Sequence, residues 1–192
     1  MEFLAPLHIS EPVTRRSTIL SITEKSGGSG SLNFVEVEHR TEGSKGLAIR
    51  EVQTIVYREA AAADAPFTPP PPGDACFDPT EWATHRAVSP SEAMLFRYSA
   101  LTFNSHRIHY DLPYARDVER YRGCVVHGLL LDLASRKWGD NALSSFVFRG
   151  LSPAICGELL HLVMREKDDG IEFGAFADDG RAVMAATATR KI

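Results

Sequence analysis

The amino-acid sequence predicts an α+β fold in which an antiparallel sheet packs on one long helix. Two groups of alternating, β-branched segments predict strands near the two ends of the chain, and a stretch with helical spacing lies between them. A proline-rich segment separates the two groups. A helix packed on an antiparallel sheet buries the apolar face of both elements, which makes this a stable arrangement for a chain of 192 residues.

The first group of segments predicts an antiparallel meander. We predict strands over 13–24, 31–40 and 47–59, because these segments alternate and are rich in β-branched residues. The glycine-rich stretches "SGGSG" and "EGSKG" separate them and predict turns. Candidates for one apolar face of this sheet include Ile19, Val35, Val37 and Ile55.

Three strands without a covering element are marginally stable on their own. We therefore expect their apolar face to pack on the rest of the chain or on another copy. Exposed strand edges also pair readily, and a closed dimer is the simplest assembly that removes them. The sequence thus predicts a homodimer.

The segment 60–88 predicts a linker. It contains four consecutive prolines and a run of small residues, and proline lacks the N–H that a strand ladder needs. Three large aromatic side chains would favour a position along a surface over full exposure: Phe67, Phe77 and Trp82. The predicted domains are accordingly 1–59, a linker over 60–88, and 89–192.

The second group begins with "MLFRYSA" (94–100), which predicts a short strand. A helix is predicted over 125–139, with its apolar residues at helical spacing and Gly139 suited to the C-terminal cap. Four further strands are predicted over 144–150, 157–166, 170–178 and 181–191.

The two groups share a short repeat. "PLHISE" begins at Pro6 and "PAICGE" begins at Pro153, and each leads into three predicted strands. This indicates a duplicated unit. The first copy lacks a counterpart of the helix, so we interpret it as half a unit.

Composition excludes some classes of partner. The chain has 21 basic and 25 acidic side chains and a net charge of −4, which argues against a nucleic-acid or membrane-surface partner. The three cysteines are widely spaced without a CxxC pair and predict reduced thiols in a cytosol-like compartment. No secretory signal or transmembrane stretch is evident. We expect a cytoplasmic protein, or a mitochondrial-matrix protein if the source is eukaryotic.

The stretch "FRYSALTFNSHRIHYD" (96–111) carries the chemistry. It is similar to the signature of the MaoC-like, R-specific enoyl-thioester hydratases, which reads Gly-Asp-x-Asn-Pro-aliphatic-His. Asn104 occupies the Asp position, and Ile108 and His109 match the aliphatic-His pair. Phe103 replaces the Gly, and His106 with Arg107 replaces Asn-Pro. The remaining matches to the signature are Tyr98, Leu101, Thr102 and Ala115.

The departures resemble one subgroup, the 3-methylfumaryl-CoA (mesaconyl-C4-CoA) hydratases and the mitochondrial type 2 hydroxyacyl-thioester dehydratases. The opening segment 6–39 also resembles the first half of the methylfumaryl-type proteins. This resemblance implies a tandem (double) hot-dog fold with an incomplete N-terminal half. It also implies a hydro-lyase that acts on an enoyl thioester, with CoA as part of the substrate and no metal or redox cofactor.

Hydration of an enoyl thioester needs a proton-transfer group, a positioned water and a donor to the thioester oxygen. His109 is the candidate acid/base, because a histidine near its ordinary pKa moves protons in both directions. Asn104 is the candidate that orients the water through its carboxamide. The backbone N–H of Gly128, in the "HG" turn that the resemblance marks, is the candidate oxyanion donor. Candidate substrate-binding residues are Arg97, Arg107, His127 and Arg149.

Other interpretations remain open at this point. His109 could be a packed histidine, Asn104 a helix cap, and His127 a helix-start residue. A metal site of His106, His109 and Asp111 is arithmetically possible, although no other ligand is evident and we predict no metal. Asp132 on the predicted helix supports a hot-dog thioesterase as the alternative enzyme, and a non-catalytic scaffold is the third hypothesis. The carrier could be CoA or an acyl-carrier protein.

Overall fold

The computed structural model describes residues 1–27, 30–128, 143–167 and 170–191. The chain forms two compact units, of which the first comprises Met1–Glu59, Asn141–Val147 and Ala188–Ile192 and the second comprises 60–140 and 148–187. Among the described residues, no helix is long and apolar enough to cross a membrane.

The first unit is built on three long antiparallel strands, β2 (Thr14–Gly27), β3 (Gly30–Gly43) and β4 (Gly46–Arg58). All three strand predictions are confirmed. The short strand β1 (Glu2–Phe3) lies beside β4 and also pairs with Ser145 of β6 (Leu143–Gly150).

The predicted apolar face exists in this unit. The strand register pairs Ile19 with Val37 and pairs Val35 with Ile55, so these four side chains share one face. Ile19 is 61% exposed and Ile22, which pairs with Val35 on the same face, is 67% exposed. These exposed isoleucines give the first unit an apolar surface among its described residues.

The second unit contains the most deeply buried core. The strand β5 (Thr84–Val88) pairs with β7 (Leu160–Lys167), which pairs with β8 (Gly170–Ala177), and β9 (Ala182–Arg190) lies next to β8. The predictions of β6, β7, β8 and β9 are confirmed within three residues at each end. The largest fully buried side chains of these strands are Phe173, Leu162, Met164 and Val163.

The linker prediction needs a correction at its C-terminal end, because Thr84–Val88 is a strand. The prolines of the predicted linker all precede this strand. The strand therefore keeps the backbone N–H groups that it needs to pair with β7. The expectation for the aromatic residues is confirmed. Phe77 stacks on Phe176, Trp82 lies against Phe176, and the guanidinium of Arg120 lies 4.3 Å from the ring centre of Phe67.

The strand predicted for 94–100 is wrong: this segment lies within the α-helix α1 (Glu92–Thr102). Ser91 caps the helix by accepting a hydrogen bond from the backbone N–H of Met94, and strong helix formers follow it. Leu95 and Ser99 are its buried residues, four positions apart on one face. A seven-residue apolar stretch has too little periodicity to distinguish a helix from a strand.

The helix predicted for 125–139 can be compared with the structure only at its first four residues, because 129–142 lie outside the described residues. Those four residues are not helical. Val125 is bridged to Ile155, and Val126 donates its backbone N–H to the carbonyl of Ala154 at 2.9 Å. The predicted start at 125 is therefore wrong.

Candidate active site

The residues that match the signature, Asn104 to His109, follow α1 in the chain. The helix ends at Phe103, whose φ of 53° places it in the left-handed region that glycine favours. The next residue, Asn104, donates its backbone N–H to the carbonyl of Ser99 at 2.9 Å. Phe103 thus adopts the backbone conformation that suits the glycine of the signature.

Asn104 is engaged in this turn. Its side-chain Oδ1 accepts the backbone N–H of His106 at 3.0 Å, so the side chain caps a turn as the alternative interpretation expected. A carboxamide oxygen has two lone pairs, and the amide nitrogen carries two more donor hydrogens. The side chain can therefore hold the turn and orient a water molecule.

His109 ends a short 3₁₀ turn, Arg107–His109, and its tautomer follows from one contact. Its Nδ1 lies 2.7 Å from the carbonyl oxygen of Val125. Because a carbonyl only accepts, Nδ1 carries the proton and Nε2 keeps its lone pair. Val125 in turn donates its N–H to the carbonyl of Ile108 at 2.9 Å, so two bonds fix the ring.

The pKa of His109 favours a neutral base. Burial lowers the pKa, the hydrogen bond to Val125 opposes that change, and the charge of His106 lowers it further. The net direction is down, so the imidazole is neutral near pH 7. A neutral imidazole with a free Nε2 is the state that accepts a proton from water.

The ring of His109 stacks on the ring of His127, with 3.7 Å between centroids and an interplanar angle of 22°. His127 is buried, and its Nε2 lies 3.1 Å from the hydroxyl of Ser99 on α1. Burial, with a smaller contribution from the charge of His109, lowers the pKa of His127 to about 4. Tyr98 lies against the His127 ring, with 4.6 Å between centroids.

The candidate catalytic residues line three cavities. His109 lines one of about 610 Å³, which it shares with Asp111 and Cys124. His127 and Gly128 line a second of about 360 Å³. Asn104 lines a third of about 320 Å³. The stacked imidazoles bring His109 together with His127, whereas Asn104 and His109 line different ones of these three cavities.

Gly128 lies directly after the stacked ring, at an exposed position. A Cβ at this position would lie 3.1 Å from the Cε of Met184, so a larger residue would crowd the cavity that both line. A glycine here lets a ligand approach the backbone closely. The proposed oxyanion role of its N–H stays a prediction.

The structure separates the three candidate arginines. Arg107 donates to the carboxylate of Asp111 through Nε at 2.9 Å and Nη2 at 2.6 Å, and its guanidinium lies 4.1 Å from the ring centre of Tyr114. Arg97 on α1 and Arg149 on β6 are exposed. Their role in substrate binding stays a prediction, and Arg107 would have to leave Asp111 to contact a substrate.

The metal alternative receives no support from this geometry. Asp111 accepts from Arg107 and from the backbone N–H of Tyr114, and these contacts hold the pKa of its carboxyl below the usual value. Within the described ranges, no group of three His, Cys, Asp or Glu side chains is placed to hold a metal ion. Asp132, on which the thioesterase alternative depends, lies outside the described residues.

Sequence reasoning did not single out Ser99. Its hydroxyl meets His127, which is 28 positions away in the chain, and only the fold brings the two together. The signal that could have revealed it is the i, i+4 spacing of Leu95 and Ser99, which places both on one face of a helix.

Comparison with known proteins identifies the family. Residues 1–156 match the family described as hydroxyacyl-thioester dehydratase type 2. The chain belongs to this family. It is 41% identical over 97% of its length to the mesaconyl-C(4)-CoA hydratase of Chloroflexus aurantiacus. It is also 35% identical over 41% of its length to the mitochondrial hydroxyacyl-thioester dehydratase type 2 of Schizosaccharomyces pombe.

The chain spans 66% of the first relative and 28% of the second. Among solved structures, it resembles HtdX of Mycobacterium tuberculosis with a TM-score of 0.72 and 17% identity, over 100% of this chain and 74% of that one. This likeness, shared with MaoC-like dehydratases, confirms the predicted hot-dog fold. The tandem arrangement stays a prediction.

Proposed function

We propose that this chain is part or all of a hydro-lyase that adds water to, or removes it from, the Cα=Cβ bond of an enoyl thioester. The observation that carries the proposal is the fixed tautomer of His109, whose Nε2 is available as a base. Family membership and the mesaconyl-C(4)-CoA hydratase relative support this reaction class. By the same relative, we propose a short, branched dicarboxylic acyl group on CoA as the substrate.

In the proposed reaction, Nε2 of His109 removes a proton from a water molecule while the oxygen attacks Cβ. The electron pair of the C=C bond moves toward the thioester, and an enolate oxygen develops. The same imidazole, now protonated, delivers its proton to Cα and returns to its starting state. Asn104 orients the water, and the N–H of Gly128 stabilises the enolate oxygen. No metal or redox cofactor takes part in this scheme.

The direct test incubates the purified chain with a panel of enoyl-CoA thioesters that includes 3-methylfumaryl-CoA. Loss of the conjugated enoyl absorbance and release of free thiol are recorded together. We expect loss of absorbance without thiol release. Thiol release without a hydrated product would replace this proposal with the thioesterase alternative, and no change in either signal would favour a non-catalytic scaffold.

We also propose that the chain forms a homodimer in a cytosol-like compartment. The exposed Ile19 and Ile22 on one face of the first unit support association, because soluble proteins seldom expose a contiguous apolar surface. The strand β2 also lies at the end of the strand order in that unit, which leaves an edge for pairing. Light scattering over a wide dilution range, with Ile22→Glu as the disrupting variant, tests this. A wild-type chain that is monomeric at every concentration would contradict it.

A further inference from the structure

A buried ring nitrogen of His127 has no partner. His127 is 8% exposed, its Nε2 meets the hydroxyl of Ser99, and its Nδ1 has no hydrogen-bond partner among the described residues. An unpaired buried polar atom is unfavourable, because it has lost its hydrogen bonds to water and gained none in the protein. Such an atom in a native structure needs an explanation, and a catalytic role toward a bound ligand is one.

The chemistry of the proposed substrate selects the tautomer. A neutral imidazole has one donor nitrogen and one acceptor nitrogen, and a serine hydroxyl can serve either of them. If Ser99 donates to Nε2, the proton of His127 is on Nδ1 and points to no partner. A thioester offers an acceptor in its carbonyl oxygen and has no donor. Only the tautomer with the proton on Nδ1 therefore complements it.

We propose that His127 is a catalytic residue whose Nδ1–H, held in place by Ser99, donates to the thioester carbonyl oxygen beside the N–H of Gly128. This inference rests on the proposed hydration. As water attacks Cβ, the C=C pair shifts to the Cα–C bond and the C=O pair shifts to the oxygen, where Nδ1–H stabilises the new negative charge. The proton on Nδ1 stays with His127 throughout, while His109 moves the only transferred proton.

The stacking supports a shared substrate. The two ring centroids are 3.7 Å apart, so an enoyl thioester that spans the cavity lined by His109 and the cavity lined by His127 and Gly128 would meet one nitrogen of each ring. A neutral donor also suits this position. A second positive charge at this distance would oppose protonation of His109, which occurs in every cycle.

The sharpest test compares two amide variants. The Nδ2 of Asn in His127→Asn lies close to the position of Nδ1, whereas His127→Gln places its amide near Nε2 and contacts only Ser99. Loss of one oxyanion donor lowers kcat by about 10²–10³-fold. We expect that loss in His127→Gln and a loss within about tenfold in His127→Asn. The exposed His8→Gln is the matched control and should retain the wild-type rate.

Equal rates for His127→Asn and His127→Gln would overturn the inference. They would show that a donor at the position of Nδ1 contributes nothing to the rate. If the Gln variant fails to fold, Ser99→Ala replaces it. Without the hydroxyl, the ring is no longer held at Nε2, and we expect a lower kcat with little change in KM. A wild-type kcat in folded Ser99→Ala would contradict the assignment.

A binding measurement separates this inference from the proposed function. Calorimetry compares butyryl-CoA, which has the thioester carbonyl, with the S-butyl-CoA thioether, which lacks it. We expect wild type to prefer the thioester about tenfold or more and His127→Gln to lose that preference. An unchanged preference in His127→Gln, with hydration by wild type intact, overturns this inference alone. Binding of neither ligand by wild type shows no preference for the carbonyl and overturns this inference, whereas failure of wild type to hydrate any member of the enoyl-CoA panel overturns the proposed function and this inference with it.

Discussion

Two histidine clusters in the second unit use the same side chain in opposite ways. We call His109 and His127 the active-site pair, and His85, His161 and Asp178 the structural chain. In the structural chain, Nδ1 of His161 lies 2.8 Å from Nε2 of His85, and Nε2 lies 2.9 Å from Oδ1 of Asp178. In the active-site pair, each ring has one nitrogen engaged, and the other has no hydrogen-bond partner among the described residues.

The difference shows how a buried histidine can be assigned. A ring with both nitrogens hydrogen-bonded, like that of His161, is fixed in one conformation and leaves nothing for a ligand. His161 is also covered by Phe77, whose ring centre lies 4.9 Å away, so its surroundings are those of a core residue. A ring that is fixed by one nitrogen and free at the other is oriented for proton transfer or donation.

The largest expected effect is on the active-site pair. His109→Ala should lower kcat by about 10²–10⁴-fold and leave the fold intact, because it removes the proton-transfer group. Initial rates with the best enoyl-CoA of the panel, together with circular dichroism, measure both. His85→Ala, at an exposed position in the structural chain, is the matched control. Near-normal turnover by folded His109→Ala would remove the assignment.

The reverse effect is expected in the structural chain. His161→Ala should lower the free energy of unfolding by about 2 kcal/mol, since it removes a buried ring and both of its hydrogen bonds. Turnover per folded molecule should stay near the wild-type value. Urea denaturation measures the free energy of unfolding, and initial rates at matched concentrations of folded protein measure turnover. An unchanged free energy of unfolding with a large loss of turnover would contradict the structural role of His161.

Asn104 should show an intermediate effect on rate. Asn104→Ala removes the side chain that we propose orients the water, and we expect kcat to fall about tenfold. Asn104→Asp should retain much of the rate, because a carboxylate can accept both the N–H of His106 and a water hydrogen. If Asn104→Ala lowers only the melting temperature, the residue caps the turn and nothing more.

The smallest expected effect concerns pH. A histidine base works when neutral, and a lowered pKa keeps it neutral to lower pH. The midpoint of the acid-side fall in kcat/KM should therefore lie at a pH below the ordinary pKa of histidine, about 6.5. His106→Gln removes a charge that lowers the pKa of His109, so the fall should move to higher pH. A midpoint above 6.5 in wild type, or a shift to lower pH in the variant, would contradict this.

The strands were predictable from the sequence, because the alternation of apolar and polar residues shows which face of a strand is buried. The same reasoning failed for 94–100, where a cap at Ser91 and helix formers outweigh the apolar run. It also failed at the start of the segment 125–139, where Val125 and Val126 pair with a neighbouring extended segment. Such pairing depends on contacts that are distant in sequence.

The candidate site was predictable in part. The motif indicated His109 and Asn104, but the contacts of both are set by the fold. The bond from His109 to Val125 spans 16 positions, and the bond between Ser99 and His127 spans 28. The orientation of each ring depends on these partners, so no sequence pattern could supply it.

Hydration in ¹⁸O-labelled water tests the central claim most directly. Wild type and His109→Ala are each incubated with the preferred enoyl-CoA, and the products are analysed by mass spectrometry. The account predicts that wild type yields a hydroxyacyl thioester with one ¹⁸O at Cβ and an intact CoA bond, and that His109→Ala yields little of it. Label found in a free carboxylate, or equal labelling at Cβ by both proteins, would contradict the account.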